Sequence, residues 1–359
     1  MTRLRSIAAA SFLVSSLLLM VPWDSAMAAV PITECRLRKL ETVDGVLYRP
    51  KDICLVGNAV FVADMGNNRI VEFTTDGTMT REFGAAGSSL GEFVSPQSVT
   101  VTTDGRLIVA DVGNKRVCSV NLKDGSHSLY ESGFYVFDVT ADGQSVLYTG
   151  TRAQREPLLL YRDSGGVQSG IGEPFPITHE YDSVFRNANT VVVDKDGPTI
   201  VVGSPALAVI RVLSEAGDVI SEFFLGGDEL NYVRHEAWHK MLRGPTEEVF
   251  LNRRSISKAT REDVEDDLAA LAQPKRFGFP SYISDLKLWN NRIFVLVGER
   301  LLEYSIDGEL LARYTFLSDE NKHIYIFAFD FDNSGRFWGV DSKHTFGIYF
   351  VDTAEWREN

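Results

Sequence analysis

Cysteine is nearly absent from this chain: Cys35, Cys54 and Cys118 are the only three in 359 residues. They cannot all pair within one chain, which excludes a disulfide-built scaffold. No Cys-x-x-Cys spacing exists, so a thiolate zinc site is excluded as well. Cys54 and Cys118 stand in apolar stretches, where a thiol behaves as a small hydrophobe. Buried thiols are therefore expected over the single bridge that an oxidising compartment permits. Positive charge is also in short supply, with 36 Lys and Arg against 49 Asp and Glu and a net charge of −13. The acidic residues are spread along the chain, so they read as a solvated surface, and nucleic acid and anionic lipid are poor partners.

Long apolar runs are scarce too. Ile7 to Met20 is apolar apart from serines, but at about 14 residues it falls short of the ~20 that span a bilayer. Arg3 and Arg5 precede it and Ala26-Met27-Ala28 follows it, so residues 1–28 read as a signal peptide cleaved near Ala28. The mature chain, 29–359, is then periplasmic or secreted, with a net charge near −14 and no integral membrane span. Glu34 before Cys35 does not fit a lipobox, and Arg3 and Arg5 are not adjacent as the twin-arginine route requires.

What the chain does have is repetition. Ala63-Asp64-Met65-Gly66-Asn67-Asn68-Arg69-Ile70 recurs 47 residues later as Ala110-Asp111-Val112-Gly113-Asn114-Lys115-Arg116-Val117. Each copy lies between short apolar strands, and a strand-only period in the 40s is the mark of a β-propeller. Turn residues recur between first and second strands at Gly57-Asn58, Asp104-Gly105, Asp142-Gly143, Asp196-Gly197, Asn290-Asn291 and Asn333-Ser334-Gly335. A second series, between third and fourth strands, runs through Asp76-Gly77, Asp124-Gly125, Gly165-Gly166, Ala216-Gly217 and Asp307-Gly308. Six turns of the first kind and five of the second predict an all-β, six-bladed propeller whose last blade lacks a fourth strand. The alternating segment Cys35–Val43 is expected to supply it and close the ring. Between blades four and five the strand rhythm stops, and residues 227–279 read as a two-helix insertion, a lid, with helices over Asp228–Leu242 and from Thr260 to Pro274.

The Ala-Asp-x-Gly-Asn-x-Arg segments, with Phe83-Gly84 and Phe93-x-x-Pro96, resemble the NHL-repeat family of six-bladed propellers. The resemblance is close over residues 49 to about 125 and faint elsewhere, where Val340-Asp341-Ser342-Lys343 keeps the Asp. It implies a ring whose second-to-third-strand loops and blade-to-blade loops share one rim, where ligands bind. It also implies that the repeat Asp, Asn and Arg tie loops together rather than hold a ligand. Peptidyl-hydroxyglycine amidating lyases resemble these repeats and hold zinc through a His after Pro. Here Pro50-Lys51-Asp52-Ile53 and Pro96-Gln97-Ser98-Val99 lack that His, which argues against the activity.

Candidate chemistry falls on the same rim. His235-Glu236-Ala237-Trp238-His239 places two His four apart on a helix, able to share zinc, with Glu236 as base; the alternative is a pair of lid-packing or solvated histidines. The inner strands bring Asp52, Ser98, Asp138, Asn189, Asp285 and a position near Ala328 to the channel mouth. Asp52, Asp138 and Asp285 there can ligate calcium, or simply line a wet channel. His179, Tyr181 and Arg186 in one long loop, and Arg152 in another, are candidate ligand contacts. With no catalytic constellation complete, the expectation is a non-catalytic module that binds a peptide, glycan or protein of the envelope. The alternative is a metal-dependent hydrolase or lyase with zinc or calcium on that rim.

Overall fold

The computed structural model describes residues 30–133, 135–151, 160–164, 167–173, 190–193, 199–204, 209–225 and 283–351, within a compact unit spanning Pro31–Asn359. The expected signal peptide at 1–28 and the expected insertion at 227–279 lie outside the described residues. Six antiparallel sheets follow one another along the chain, over residues 52–83, 96–132, 135–171, 190–224, 285–317 and 328–351. These are the six blades. Within each, sequential strands are neighbours, and the first, inner strand packs against the inner strands of adjoining blades. Helix among the described residues is limited to single turns at Glu41–Val43 and Met65–Asn67, and no helix is long and apolar enough to cross a membrane.

The ring closes through the N-terminal segment, in two steps. Arg38–Lys39 pairs antiparallel with Ile348–Val351 as the fourth strand of blade six, with Arg38 opposite Phe350 and Lys39 opposite Tyr349. This is the closure that the missing strand required, though it uses only two residues of Cys35–Val43. The preceding stretch, Ile32–Arg36, does something else. It pairs parallel with Leu310–Leu317 as a fifth strand on blade five, so one strap joins two blades and covers an outer edge that would otherwise stand open.

Apolar residues on opposite faces of one strand serve different interfaces, which is why the strands read as continuous hydrophobic runs. In blade two, Leu107 and Val109 pack with Phe61, Ile70 and Cys54 of blade one, whereas Ile108 and Ala110 pack with Val139, Val146 and Tyr148 of blade three. Between blades five and six the seam is aromatic: Phe316, Phe329 and Phe337 stack at 4.7 and 5.5 Å between ring centroids, and burying each such side chain stabilises by about 1.5–3 kcal/mol. Cys35, Cys54 and Cys118 are buried thiols rather than halves of a disulfide. Burial pushes the Cys118 thiol up to about 12, so it stays protonated.

The repeat residues build the rim. The Tyr48 N–H donates to Asp64 Oδ1 (2.7 Å), while Oδ2 accepts from Asn67 Nδ2 (2.8 Å) and Arg69 Nε (2.9 Å). Arg69 also reaches the Val46 carbonyl (2.8 Å). Blade two repeats this: Asp111 accepts from the Val94 N–H (2.8 Å), Asn114 (2.8 Å) and Arg116 Nε (2.7 Å), and Arg116 donates to the carbonyls of Ser88, Ser89 and Glu92. Glycine between them is obligatory, because a Cβ on Gly66 would sit 2.5 Å from the Tyr48 carbonyl oxygen and one on Gly113 2.6 Å from that of Val94. Asp341 keeps the role with other partners, accepting from the N–H groups of Lys343, His344 and Thr345.

Because Asp111 is fully buried and Arg116 nearly so, Asp111→Ala strands a guanidinium and is expected to destabilise by about 3–5 kcal/mol. Glu82→Ala, which removes the exposed partner of Arg69, should change stability by no more than about 0.5 kcal/mol. Urea unfolding of the two variants checks both values.

Candidate functional site

An inner strand has no neighbour on its axial side, so its N–H groups there need acceptors. Carboxylates supply them, each reaching one blade onward. Asp52 Oδ1 accepts from its neighbour Ile53 (2.8 Å) and Oδ2 from Val99 of blade two (2.9 Å). Asp285 repeats the pattern with Leu286 (2.7 Å) and with Phe329 of blade six (2.7 Å). Asp330 does so with Phe331 (2.9 Å) and with Leu55 of blade one (2.7 Å). Ser98 carries the chain between blades one and three: its hydroxyl lies 2.8 Å from Asp52 Oδ2 and 2.7 Å from Asp138 Oδ1, and the Val139 N–H donates to it (3.2 Å). The register slips just before Ser98 and just before Asp138, and such bulges re-aim a side chain.

Four carboxylates near one axis repel, and a lysine answers them. Lys287, on the inner strand of blade five, has its ammonium 3.9 Å from Asp285 Oδ1. Burial works against its charge. The carboxylates of Asp285, Asp52, Asp330 and Asp138 outweigh that and hold it well above the ordinary lysine value. An ammonium that feels acids from blades one, three, five and six lies close to the axis. Burial likewise pushes Asp52 up to about 6, with Lys287 opposing and Asp138 adding to the rise. Asp285 is pushed up to about 8 by burial, with Lys287 opposing and Asp52 adding.

Asp52, Asp138 and Asp285 thus come together at the axis, where sequence pattern left them either ligating calcium or lining a wet channel. Their oxygens are engaged by backbone N–H groups and Ser98, and the cation among them is Lys287. Among the described residues no group of three or more His, Cys, Asp and Glu is disposed to hold a metal ion. Two members of the cluster were missed. Asp330 lies two residues beyond the position near Ala328, flagged by the alternation Phe329-Asp330-Phe331. Lys287 is flagged by Asp285-Leu286-Lys287-Leu288, where charged residues take one face of an inner strand. The other candidates, His179, Tyr181, Arg186, Arg152, Asn189, His235, Glu236 and His239, lie outside the described residues. Of the histidines among the described residues, His323 contacts Thr315 Oγ1 (3.3 Å) and His344 is carried by the loop that Asp341 holds.

Residues 25–232, more than half of the chain, match the DUF5128 family, 6-bladed beta-propeller, and the chain belongs to that family. No curated protein matches it in sequence. Among solved structures it is similar to a gluconolactonase from Xanthomonas campestris (12% identity, 88% of each chain, TM-score 0.53). It is also similar to regucalcin, a calcium-binding protein from Agrobacterium tumefaciens (10%, 89% of this chain and 95% of that one, 0.52). A third is a luciferin-regenerating enzyme (10%, 88% and 94%, 0.54). At such identities the likeness establishes the six-bladed fold.

Folding raises Asp52 and Asp285 above their ordinary 3.8. The stability they contribute is therefore full below about pH 4 and is lost as pH rises through about 6 and about 8. Lys287→Met removes the counter-charge and is expected to destabilise by roughly 3 kcal/mol above pH 8. That deficit should shrink as acidification neutralises the two carboxyls. Denaturant unfolding of wild type and variant at a series of pH values between 5 and 9 reads it out; a deficit that grows on acidification contradicts the assignment.

Proposed function

We propose that the chain is an exported, NHL-type propeller acting as a non-catalytic binding module, which holds a peptide, glycan or protein of the cell envelope on the rim formed by its second-to-third-strand loops. The observation that carries this reading is how the described polar groups are used. Asp64, Asp111 and Asp341 hold the rim loops, while Asp52, Asp285 and Asp330 hold the inner strands. These carboxylates are committed to N–H groups of the fold rather than aimed at a substrate, and these are the positions where a propeller brings polar residues together. The rim meanwhile turns Tyr48, Arg49, Lys343 and His344 to solvent. Export, to the periplasm or beyond, rests on the leader pattern in residues 1–28.

The second reading, a metal-dependent hydrolase or lyase, is favoured by one feature: Asp285, pushed up to about 8, can hold and release a proton near neutral pH. The structural likeness to a gluconolactonase and to a calcium-binding protein is compatible with it. A calcium ion at the axis would have to displace the Lys287 ammonium, whereas zinc would depend on His235 and His239.

Mass spectrometry of the mature protein, expressed with zinc and calcium and then dialysed, separates the two. The binding module is expected to retain neither metal in stoichiometric amount, and His235→Ala to leave metal content unchanged. Near-stoichiometric metal together with turnover of a substrate overturns the proposal.

A further inference from the structure

The junction of blades one and six carries two cations that no carboxylate of the described residues neutralises. Lys51, entering the inner strand of blade one, is partly buried, its ammonium 3.8 Å from the centroid of the Phe327 ring of blade six. Among the described residues it has no carboxylate partner. Burial, and then the Arg49 guanidinium beside it, lower its pKa. Arg49 is exposed, likewise has no carboxylate partner among the described residues, and adopts a left-handed backbone at φ 53°. Two like charges held together, one of them partly desolvated, cost free energy unless an anion joins them.

The surroundings are aromatic and conformationally strained. Tyr48, about half exposed, meets the edge of Phe346 of blade six at 5.3 Å between centroids, and Phe346 has φ 53°. A bulky residue in that region is an outlier, and such strain collects at functional sites. Lys343, in the same loop as Phe346, lies 5.2 Å over Tyr325. Both loops are held: Asp64 fixes the Tyr48 N–H, and Asp341 fixes the loop from Lys343 to Thr345. A positive, aromatic-lined patch has thus been assembled on a chain whose net charge is −13.

We propose that this junction binds an acidic sugar segment, its carboxylate held by Arg49 and Lys51 and its ring against Tyr48. The inference rests on the binding-module reading and names the partner class. A peptide fits less well. An extended peptide is held chiefly by main-chain bonds to a sheet edge, and the inner edge of blade one is already closed at Ile53 by Asp52 and at Leu55 by Asp330. A saccharide needs no such edge; it needs flat apolar faces and a charge-assisted clamp, and both are here.

Calorimetric titration of the mature chain with tri-galacturonate, maltotriose and hexaglutamate tests this. Tri-galacturonate is expected to bind in a salt-sensitive manner, with affinity about tenfold or more lower in Lys51→Met and in the surface variant Arg49→Ala. Maltotriose and hexaglutamate should bind at least about tenfold more weakly than tri-galacturonate. Without ligand, Lys51→Met should resist denaturant at least as well as wild type, whereas loss of a purely structural lysine would lower stability. No binding of tri-galacturonate, equal binding by both variants, or equal binding of maltotriose overturns the proposal. Equal or tighter binding of hexaglutamate overturns the sugar assignment. Conversion of the trisaccharide to products would overturn the non-catalytic reading while leaving the site in place.

Discussion

The inner edge of the ring is the constraint on which the rest depends. Antiparallel blades satisfy their backbone groups except along the axial side of each inner strand, where no strand can be added. Asp52, Asp285 and Asp330 complete that edge at three junctions, bridging blade one to two, five to six and six to one. Buried carboxylates bring a charge problem with them, and it is met in two ways: Asp52 and Asp285 are displaced toward neutrality, and Lys287 supplies a tethered cation. A lysine is suited to this because its charge arrives with the chain. It also couples four blades through one charge, which makes the axis the point where local damage would spread furthest.

The same residue type does the second structural task at the rim. Asp64, Asp111 and Asp341 stand at the ends of second strands and gather N–H groups from the loops above them, with Asn and Arg joining in blades one and two. The Asp-Gly-Asn-Arg spacing is therefore a device for holding an irregular loop in one shape. Its functional consequence is indirect, because a held loop can present a side chain at low entropic cost. Tyr48 illustrates this: its backbone is fixed by Asp64 while its ring remains half exposed.

Much of the ring was legible in the sequence because it is written locally. The 47-residue repeat, the two series of turns and the deficit of one strand are short-range signals, and together they specify six blades and an N-terminal closure. The parallel pairing of Ile32–Arg36 with blade five was not legible, since parallel strand addition leaves no turn and its partner lies some 280 positions along the chain. The axial cluster was half visible. Asp52, Asp138 and Asp285 could be placed near the axis by counting strands, but the hydrogen bonds that commit them, and the presence of Lys287 and Asp330, depend on register across blades. Alternation marks which face a residue takes; it does not say which charges meet there. The repeat residues were read as loop ties, and blades one and two carry those ties bond for bond.

What distinguishes the junction of blades one and six is that its cations have no carboxylate partner among the described residues, Lys51 resting instead on the Phe327 ring. Among the described residues Arg116 is matched by Asp111 and Arg211 by Glu222, and Lys287 by the axial acids. Exposed Arg49 and partly buried Lys51 have no such partner, although they lie within three residues of Asp52, whose carboxylate is directed toward blade two. Net acidity does not bar an acidic sugar, because charges beyond about 8 Å are largely screened at physiological ionic strength, so the −13 spread over the surface contributes little at the clamp. The local pair, partly desolvated and backed by Phe327, decides the sign of the field that an approaching carboxylate meets.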